Sequence, residues 1–402
     1  MAARQEALAL PADRAAVAPA RRRRLACDSR RNRLTDMASS FPAFVAGRLG
    51  TDKFSLLDVG CSGGIDPQWR AFEPRLRGIG IDASTTECRR LAAAERNPDL
   101  AYVAAFVSRA ADVPVDHSQG PAAPLIMRMR DRLSFMRTRE IREERLKRAS
   151  TEEQLRHNAW EMTGLADPTR PVVVPDLLAE RGWTDLDYLK IDIDGGDFDI
   201  LQTFDGRLDA LGVIAAQLEV NFIGTEQADE HTFHNTDRFM RRHGFDLFRL
   251  DVRTCSTRAL PARYVWPTPA ETVSGRPFQG EAYYARDVLA PHRVAANAGL
   301  SATKLAKLAA VFSVWDVPDA AADLLVNRRD VLALLLDIDA GLDLLAAQTQ
   351  ADRTRHPLSY RDYVASFEAD AKSFYRPEGP IPLRERLASA WRGYWYPREK
   401  RR

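Results

Sequence analysis

The chain has 402 residues, 45% of them hydrophobic and 28% charged, with a formal net charge of +2 at pH 7. These are the proportions of an ordinary globular protein, and the balanced charge excludes a global pull toward nucleic acid or membrane. No apolar run approaches the roughly 20 residues of a membrane span. Cys27, Cys61, Cys88 and Cys255 are scattered and form no C-x-x-C pair, so neither a zinc site nor a disulfide framework is expected and a reducing cytoplasm fits.

Residues 1–40 read as a basic, disordered leader carrying the run Arg21-Arg22-Arg23-Arg24 and no secretory h-region. Its Arg-rich, acid-poor composition also suits a transit peptide. A short helix is expected over 40–50. The run Phe54-Ser55-Leu56-Leu57 ends in Asp58 and is followed at once by a turn with Gly60, Gly63 and Gly64. That is a buried parallel strand bounded by turn residues. Asp66-Pro67 starts the next helix, whose Trp69 and Phe72 would pack on the sheet. A second strand over 78–82 ends in Asp82. A helix over 84–95 follows, capped by Ser84 or Thr85 with Glu87 near its third position. The third strand reads as 102–107 and ends at Ser108.

From residue 121 to 164 the chain is heavily charged and helical in pattern. This is an insertion that meets solvent, covers the site as a lid, or docks an anionic substrate. A helix then leads to the fourth strand, 187–194, which ends in carboxylates before the turn Gly195-Gly196-Asp197. A helix over 198–204, a fifth strand over 214–220 and a helix over 233–243 follow. Strands over 245–252 and 281–285 come last. Alternating strands and helices imply an α/β, doubly wound, mostly parallel seven-stranded sheet whose late pair forms an antiparallel edge. Residues 41–290 are expected to form this domain. Residues 291–402 read as a helical extension, available as a contact in a homo-oligomer, with Trp391, Trp395 and Tyr396 near its basic end.

Glycines just after a first parallel strand let the backbone approach a nucleotide-like ligand outside the strand's carboxyl end. A dinucleotide fingerprint needs G-x-G-x-x-G, but Cys61 and Ser62 separate Gly60 from Gly63. The order D-x-G-x-x-G-G instead resembles motif I of the Rossmann-like class I S-adenosylmethionine (SAM) methyltransferases. Asp82 stands where a carboxylate can accept both ribose hydroxyls. Together these two features imply a SAM cofactor held by Asp58, Gly60, Cys61, Ser62, Gly63, Gly64, Asp82, Ala83 and Ser108.

The run Tyr188-Leu189-Lys190-Ile191-Asp192-Ile193-Asp194-Gly195-Gly196-Asp197 resembles the K-I-D-x-E-G-x-E signature of FkbM-type methyltransferases, with Asp194 and Asp197 replacing glutamates. Leu218-Glu219-Val220 is similar to that family's next strand, and His243-Gly244-Phe245 to its G-[FY] element. The resemblance covers roughly 55–287 apart from the basic insertion. It implies SAM-dependent O-methylation of a small-molecule or glycan acceptor: a hydroxyl of a sugar, a glycan or glycolipid precursor, or a secondary metabolite. No nucleic acid partner is implied. Asp is one methylene shorter than Glu, so the reach of Asp194 and Asp197 differs from the family pattern.

An alcohol is a poor nucleophile, and a general base helps it attack. Asp192, Asp194 and Glu219 are the catalytic candidates, with Asp192 first because it ends the fourth strand. Asp192 could equally hydrogen-bond loop amides. His231 and His234 are either further bases or solvated loop residues. Mg²⁺ on clustered acids remains open but is not favoured, and no metal ligand is assigned. The rival readings are an NAD(P)-linked oxidoreductase or epimerase, which the broken glycine fingerprint disfavours, and a non-catalytic SAM- or glycan-binding protein.

Overall fold

The computed structural model describes residues 40–111, 129–147, 164–167, 169–193, 195–266, 271–293, 297, 299–351 and 356–375. The basic leader, both ends of the insertion, Asp194, Trp391, Trp395 and Tyr396 lie outside them. Contacts divide the chain into a unit of residues 1–341 and a second of residues 342–402.

In the first unit, Ser40 caps α1 (Phe41–Ala46), its hydroxyl accepting from the Ala43 amide. β1 (Phe54–Val59) is buried at every position. β2 (Leu76–Asp82) leads to α2 (Thr85–Ala94) and β3 (Leu100–Ala104). The insertion supplies α3 (Ser134–Lys147), and α4 (Val174–Glu180) precedes β4 (Tyr188–Ile191). α5 (Asp197–Gln202), β5 (Ala215–Asn221), α6 (Phe233–Arg242), β6 (Asp246–Cys255) and β7 (Arg276–Ala285) complete the pattern. The strand order is β3-β2-β1-β4-β5-β7-β6, with β7 antiparallel to both neighbours and the remaining pairs parallel. The order reverses between β1 and β4, where the carboxyl ends of open α/β sheets form a ligand crevice.

The two faces of the sheet differ in chemistry. One carries an apolar cluster that includes Val59, Ile81, Leu189, Ile191, Leu218, Phe198 and Phe239, packed from α4, α5 and α6. The other begins with aromatic side chains. The Phe54 ring lies 4.0 Å from Phe72 and 5.4 Å from Trp69, and Trp69 lies 4.2 Å from Tyr188. Trp69 and Phe72 belong to a 3₁₀ turn (Pro67–Phe72) rather than an α-helix, capped by Asp66 accepting from the Gln68 amide at 3.0 Å. Higher on this face the residues become charged, and the candidate site lies there.

Three expectations are corrected. The third strand begins and ends earlier than 102–107, because its register follows Gly78 to Asp82 of β2; Val107 continues only as an isolated bridge to Val172. The basic insertion is not simply a solvated segment. Leu133 and Phe135, at the start of α3, pack with Ile223, Cys255 and Phe278. The Ser134 amide donates to the Ser256 carbonyl at 2.9 Å, and Arg258 pairs with Glu140 at 2.9 Å. Finally, the chain beyond residue 290 is not a separate appendage throughout. α7 (Ala302–Val314) is buried from Leu305 to Ser313, and its Trp315 C-cap hydrogen-bonds Tyr188 at 3.1 Å. α8 (Pro318–Asn327) and α9 (Arg329–Leu332) follow in the same unit, which runs to Gly341. α10 (Ile338–Gln350) carries the chain across that boundary.

In the second unit the Gln350 side chain bonds both the amide and the carbonyl of Leu358 at 3.0 Å, and α11 (Tyr360–Ala369) buries no residue. No helix among the described residues is long and apolar enough to cross a membrane.

Candidate active site

The glycine turn sits at the point where strand order reverses. Gly60, Gly63 and Gly64 have φ of 91°, 85° and 92°, a region that favours glycine. At Gly60 a Cβ would lie 1.8 Å from the Asp192 carbonyl oxygen, so only glycine lets β1 close on the end of β4. The amides of Gly60 and Cys61 both donate to the Ile81 carbonyl, at 2.8 and 3.1 Å, which locks the turn onto β2. The Gly63 amide donates to Glu87 at 3.1 Å, tying the turn to α2. Arg90 beside Glu87 holds its carboxyl down at about 2. Ser62 and Gly63 are exposed, and a Cβ at Gly63 would meet nothing within 4 Å. The Cys61 side chain is buried against Gly80, and that burial pushes its thiol well above the usual range. Cys61 therefore offers a ligand only its backbone.

At the end of β2, Asp82 accepts from the Ser84 amide at 2.7 Å, which fixes the carboxylate in one orientation. Ser84 also caps α2 by accepting from the Glu87 amide at 3.1 Å. The Ala83 carbonyl accepts from Ala166 at 2.8 Å, and the Ser108 amide donates to Val172 at 3.0 Å. Asp82, Ala83 and Ser108 are half-buried around the ends of β2 and β3. The candidate cofactor residues thus fall along the ends of β1, β2 and β3, except that Asp58 faces elsewhere.

Asp58 is buried on the charged face and pairs with Lys190 of β4 at 3.1 Å. Burial pushes its carboxyl up to about 6 despite that ammonium group. Lys190 also lies 3.5 Å from Asp192. Burial alone would lower the Lys190 pKa, but Asp58 and Asp192 outweigh it and the net shift is upward. The lysine is therefore a fixed cation between two carboxylates, a role that the K-I-D motif did not reveal.

The register continues the line of acids. Ile191 pairs with Leu218, so Asp192 leaves β4 beside Glu219 of β5, and Glu219 is the direct partner of Glu281 on β7. Arg253 of β6 reaches both glutamates, at 3.4 Å from Glu219 and 2.6 Å from Glu281. Glu281 accepts from Gln217 at 3.1 Å, Gln217 accepts from Tyr188 at 2.9 Å, and Trp315 donates to Tyr188 at 3.1 Å. This network runs from α7 up the sheet face to the site. Burial, with Asp197 and Asp192 nearby, pushes Glu219 up to about 8; burial raises Glu281 as well. One Glu219 oxygen, Oε2, is buried with no hydrogen-bond partner among the described residues.

Asp197 and His231 close the other side. Asp197 is buried and accepts from the amides of Ile193 and Gly195 at 2.8 and 3.1 Å, so it shapes the turn after β4. Burial raises its pKa. His231 is neither a solvated loop residue nor a free base. Its Nε2 donates to the Glu219 carbonyl at 2.8 Å, and its Nδ1 lies 3.3 Å from Asn221 Nδ2 and 3.4 Å from Asp197. His234 is exposed. Asp194 lies outside the described residues. Among the described residues, no group of three or more His, Cys, Asp or Glu is arranged to hold a metal ion.

Sequence reading missed Glu281, Arg253 and the role of Lys190. A faint signal existed, because charged residues alternate along 249–253 and a lone Glu281 interrupts a strand. Only pairing brings them together.

Comparison with solved structures finds several likenesses. One is a complex of the Haloferax volcanii Trm112 methyltransferase activator with a methyltransferase, at 12% identity, covering 65% of this chain and 96% of that chain, with a TM-score of 0.28. A SAM-dependent methyltransferase from Aquifex aeolicus is similar at 9% identity over 67% of this chain and 98% of its own, with a TM-score of 0.26. Magnesium protoporphyrin IX methyltransferase from Synechocystis PCC 6803, with bound SAM, is similar at 9% identity over 65% of this chain and 83% of its own, with a TM-score of 0.26. No curated protein matches the sequence. The family model described as methyltransferase FkbM domain matches residues 138–247, a span that holds β4, the acids after it and Glu219. Over that span the chain is similar to the methyltransferase FkbM domain, and the span lies on a mostly parallel seven-stranded sheet.

Proposed function

We propose that the protein is a SAM-dependent O-methyltransferase acting on a hydroxyl of a sugar, a glycan or glycolipid precursor, or a secondary metabolite. The observation that carries this reading is the turn of Gly60, Gly63 and Gly64 closed against Asp192 in the crevice between β1 and β4. The residues fit the cofactor. The exposed backbone of Ser62 and Gly63 would receive its amino acid end, Asp82 its ribose hydroxyls, and Ala83 and Ser108 would flank its adenine. When bound, it supplies a methyl group on a sulfonium, an electrophilic carbon that needs no further activation.

The chain's own residues do the rest. Asp192 beside the glycine turn and Glu219 on the next strand would supply carboxylates to orient an acceptor hydroxyl at the roughly 3–3.5 Å of a near-attack geometry. A carboxylate in hydrogen-bond reach of that hydroxyl can also take its proton. Lys190 neutralises Asp58 and steadies Asp192 without entering the reaction. Cys61 and Cys88 are buried free thiols, which supports a reducing cytoplasmic location.

Calorimetry on the purified chain tests the cofactor. SAM and S-adenosylhomocysteine should bind while NADH does not. Asp82→Ala should weaken that binding by about 1–3 kcal/mol through lost hydrogen bonds. Binding of NADH without SAM would end the reading, and unchanged SAM affinity in Asp82→Ala would remove the ribose assignment.

A further inference from the structure

Charge and apolar surface also meet outside the crevice, on the loop between β6 and β7. Tyr264 bridges Thr272, the Val273 amide donates to the Arg263 carbonyl at 2.9 Å, and the Val265 amide donates to the Glu271 carbonyl at 2.9 Å. The insertion fixes this pair of extended segments. Leu133 bridges Thr257, the Arg258 amide donates to the Arg132 carbonyl at 2.8 Å, and the hydroxyls of Tyr264 and Thr138 meet at 2.7 Å. Tyr264 and Thr272 therefore face inward, and alternation along an extended chain turns Arg263 and Val273 outward, side by side. Both are exposed. Of the nine exposed large hydrophobic side chains among the described residues, three belong to this loop: Leu260 at 82%, Trp266 at 46% and Val273 at 41%. A fourth, Ile141, is on α3. Such side chains are ordinary when scattered singly, and their gathering on one loop marks a contact surface.

The same surface is basic. Residues 129–145, 256–266 and 271–276 hold nine arginines against five acidic residues, a surplus larger than the +2 of the whole chain. Glu140 and Glu144 are taken by Arg137, and Glu140 also by Arg258. Arg132, Arg263 and Arg276 are exposed and make no ion pair among the described residues, and the same holds for Arg139, Arg142 and Arg145 along α3. β6 ends at Cys255, two residues beyond Arg253, and β7 begins at Arg276, five residues before Glu281. The loop thus leaves the sheet at the end that carries the acids.

We propose that this loop, with α3 beside it, is a docking surface for an anionic lipid membrane. Arginines are drawn to a negatively charged leaflet, while leucine, valine and tryptophan gain by leaving water for the boundary between headgroups and acyl chains. A nucleic acid would use the arginines and leave Leu260 in water. An apolar protein groove would take Leu260 and strip water from the arginines. An anionic bilayer satisfies both at once. Docking at this end of the sheet would bring an acceptor held in lipid toward Asp192 and Glu219. The proposal goes beyond the methyltransferase reading and stands apart from it, because lipid binding is measured with neither cofactor nor acceptor present.

Co-sedimentation of the full chain with vesicles tests it. Vesicles of phosphatidylcholine with about one third phosphatidylglycerol should bind the protein, vesicles of phosphatidylcholine alone should bind it weakly, and binding to the first should fall as salt rises. The leader carries arginines of its own, so the decision rests on variants that leave it unchanged. Arg263→Gln with Arg276→Gln should lower partitioning onto the anionic vesicles about fivefold for each arginine removed. Leu260→Ser with Trp266→Ser keeps the charge and should lower it on the order of tenfold. Leu334→Ser alters a leucine outside the loop that is 84% exposed, and should change nothing. All five positions are exposed, so each variant should keep the wild-type thermal transition. The proposal requires both losses: a loop variant of either kind that binds anionic vesicles as wild type does overturns it. An equal loss in Leu334→Ser overturns it too, as does duplex DNA binding that falls in the arginine variant while vesicle binding does not.

Discussion

At the scale of single residues, the site depends on one position that cannot carry a side chain. Gly60 combines a φ of 91° with a Cβ position 1.8 Å from the Asp192 carbonyl oxygen. Gly60→Ala would therefore force β1 and β4 apart at the point where the cofactor should enter. We expect about 1–3 kcal/mol of backbone strain, with the clash in addition, and loss of S-adenosylhomocysteine binding. Gly50 is the control: its φ is 60°, but a Cβ there would meet nothing within 4 Å. Gly50→Ala should cost only about 1 kcal/mol and leave binding intact. Denaturant midpoints and calorimetry on both variants check the pair, and equal behaviour would refute the argument. The glycine itself was legible in the sequence because a turn after an apolar run needs positive φ. The reason it must be glycine was not, because Asp192 follows far along the chain and meets it only through β1–β4 pairing.

At the scale of elements, α7 shows how charge can dock a helix against a sheet. Asp187 is fully buried just before β4, and its two oxygens take Lys304 at 2.7 Å and Lys307 at 2.9 Å. Lys307 also donates to the Lys53 carbonyl at 2.6 Å, and the Ser55 amide donates to Asp187 at 2.8 Å. Removing the shared anion leaves two ammonium groups near the sheet, one of them buried. We expect Asp187→Ala to cost about 3–5 kcal/mol, the usual loss when one partner of a buried pair is removed. A chemical denaturation curve for the variant decides this, and a loss below about 1 kcal/mol would show that apolar packing alone docks α7. The reading of residues 291–402 as helical anticipated the helix, but not where it lies. Its two lysines look like an ordinary solvated face until Asp187 is found beneath them.

At the scale of the whole molecule, the two units divide within a helix rather than at a linker. α10 begins in the first unit and ends in the second, while α11 buries nothing. A chain ending at Ala351 should therefore keep the sheet and its site. We expect its thermal transition to match that of the full chain within about 0.5 kcal/mol, with S-adenosylhomocysteine affinity unchanged. A large loss of either would mean that the terminal segment supports the catalytic unit.

What the sequence determined by itself was local. Apolar runs bounded by glycine, proline and capping residues defined the strands and helices, because their period and turn chemistry act over a few residues. The glycine turn, Asp82 and the K-I-D run could also be placed near strand ends, because a strand–turn–helix unit brings its own residues to one end. The tertiary structure decided which charges meet. Lys190 lies between Asp58 and Asp192, and Arg253 bridges Glu219 and Glu281, only because β1, β4, β5, β7 and β6 are neighbours in that order. Register across the parallel β1–β4 pair and the antiparallel β5, β7 and β6 sets those pairings, and the energy of a buried charge depends on its neighbours rather than on its residue type. For that reason Glu219 could be named a candidate from its place in the fifth strand, while its partner Glu281 could not.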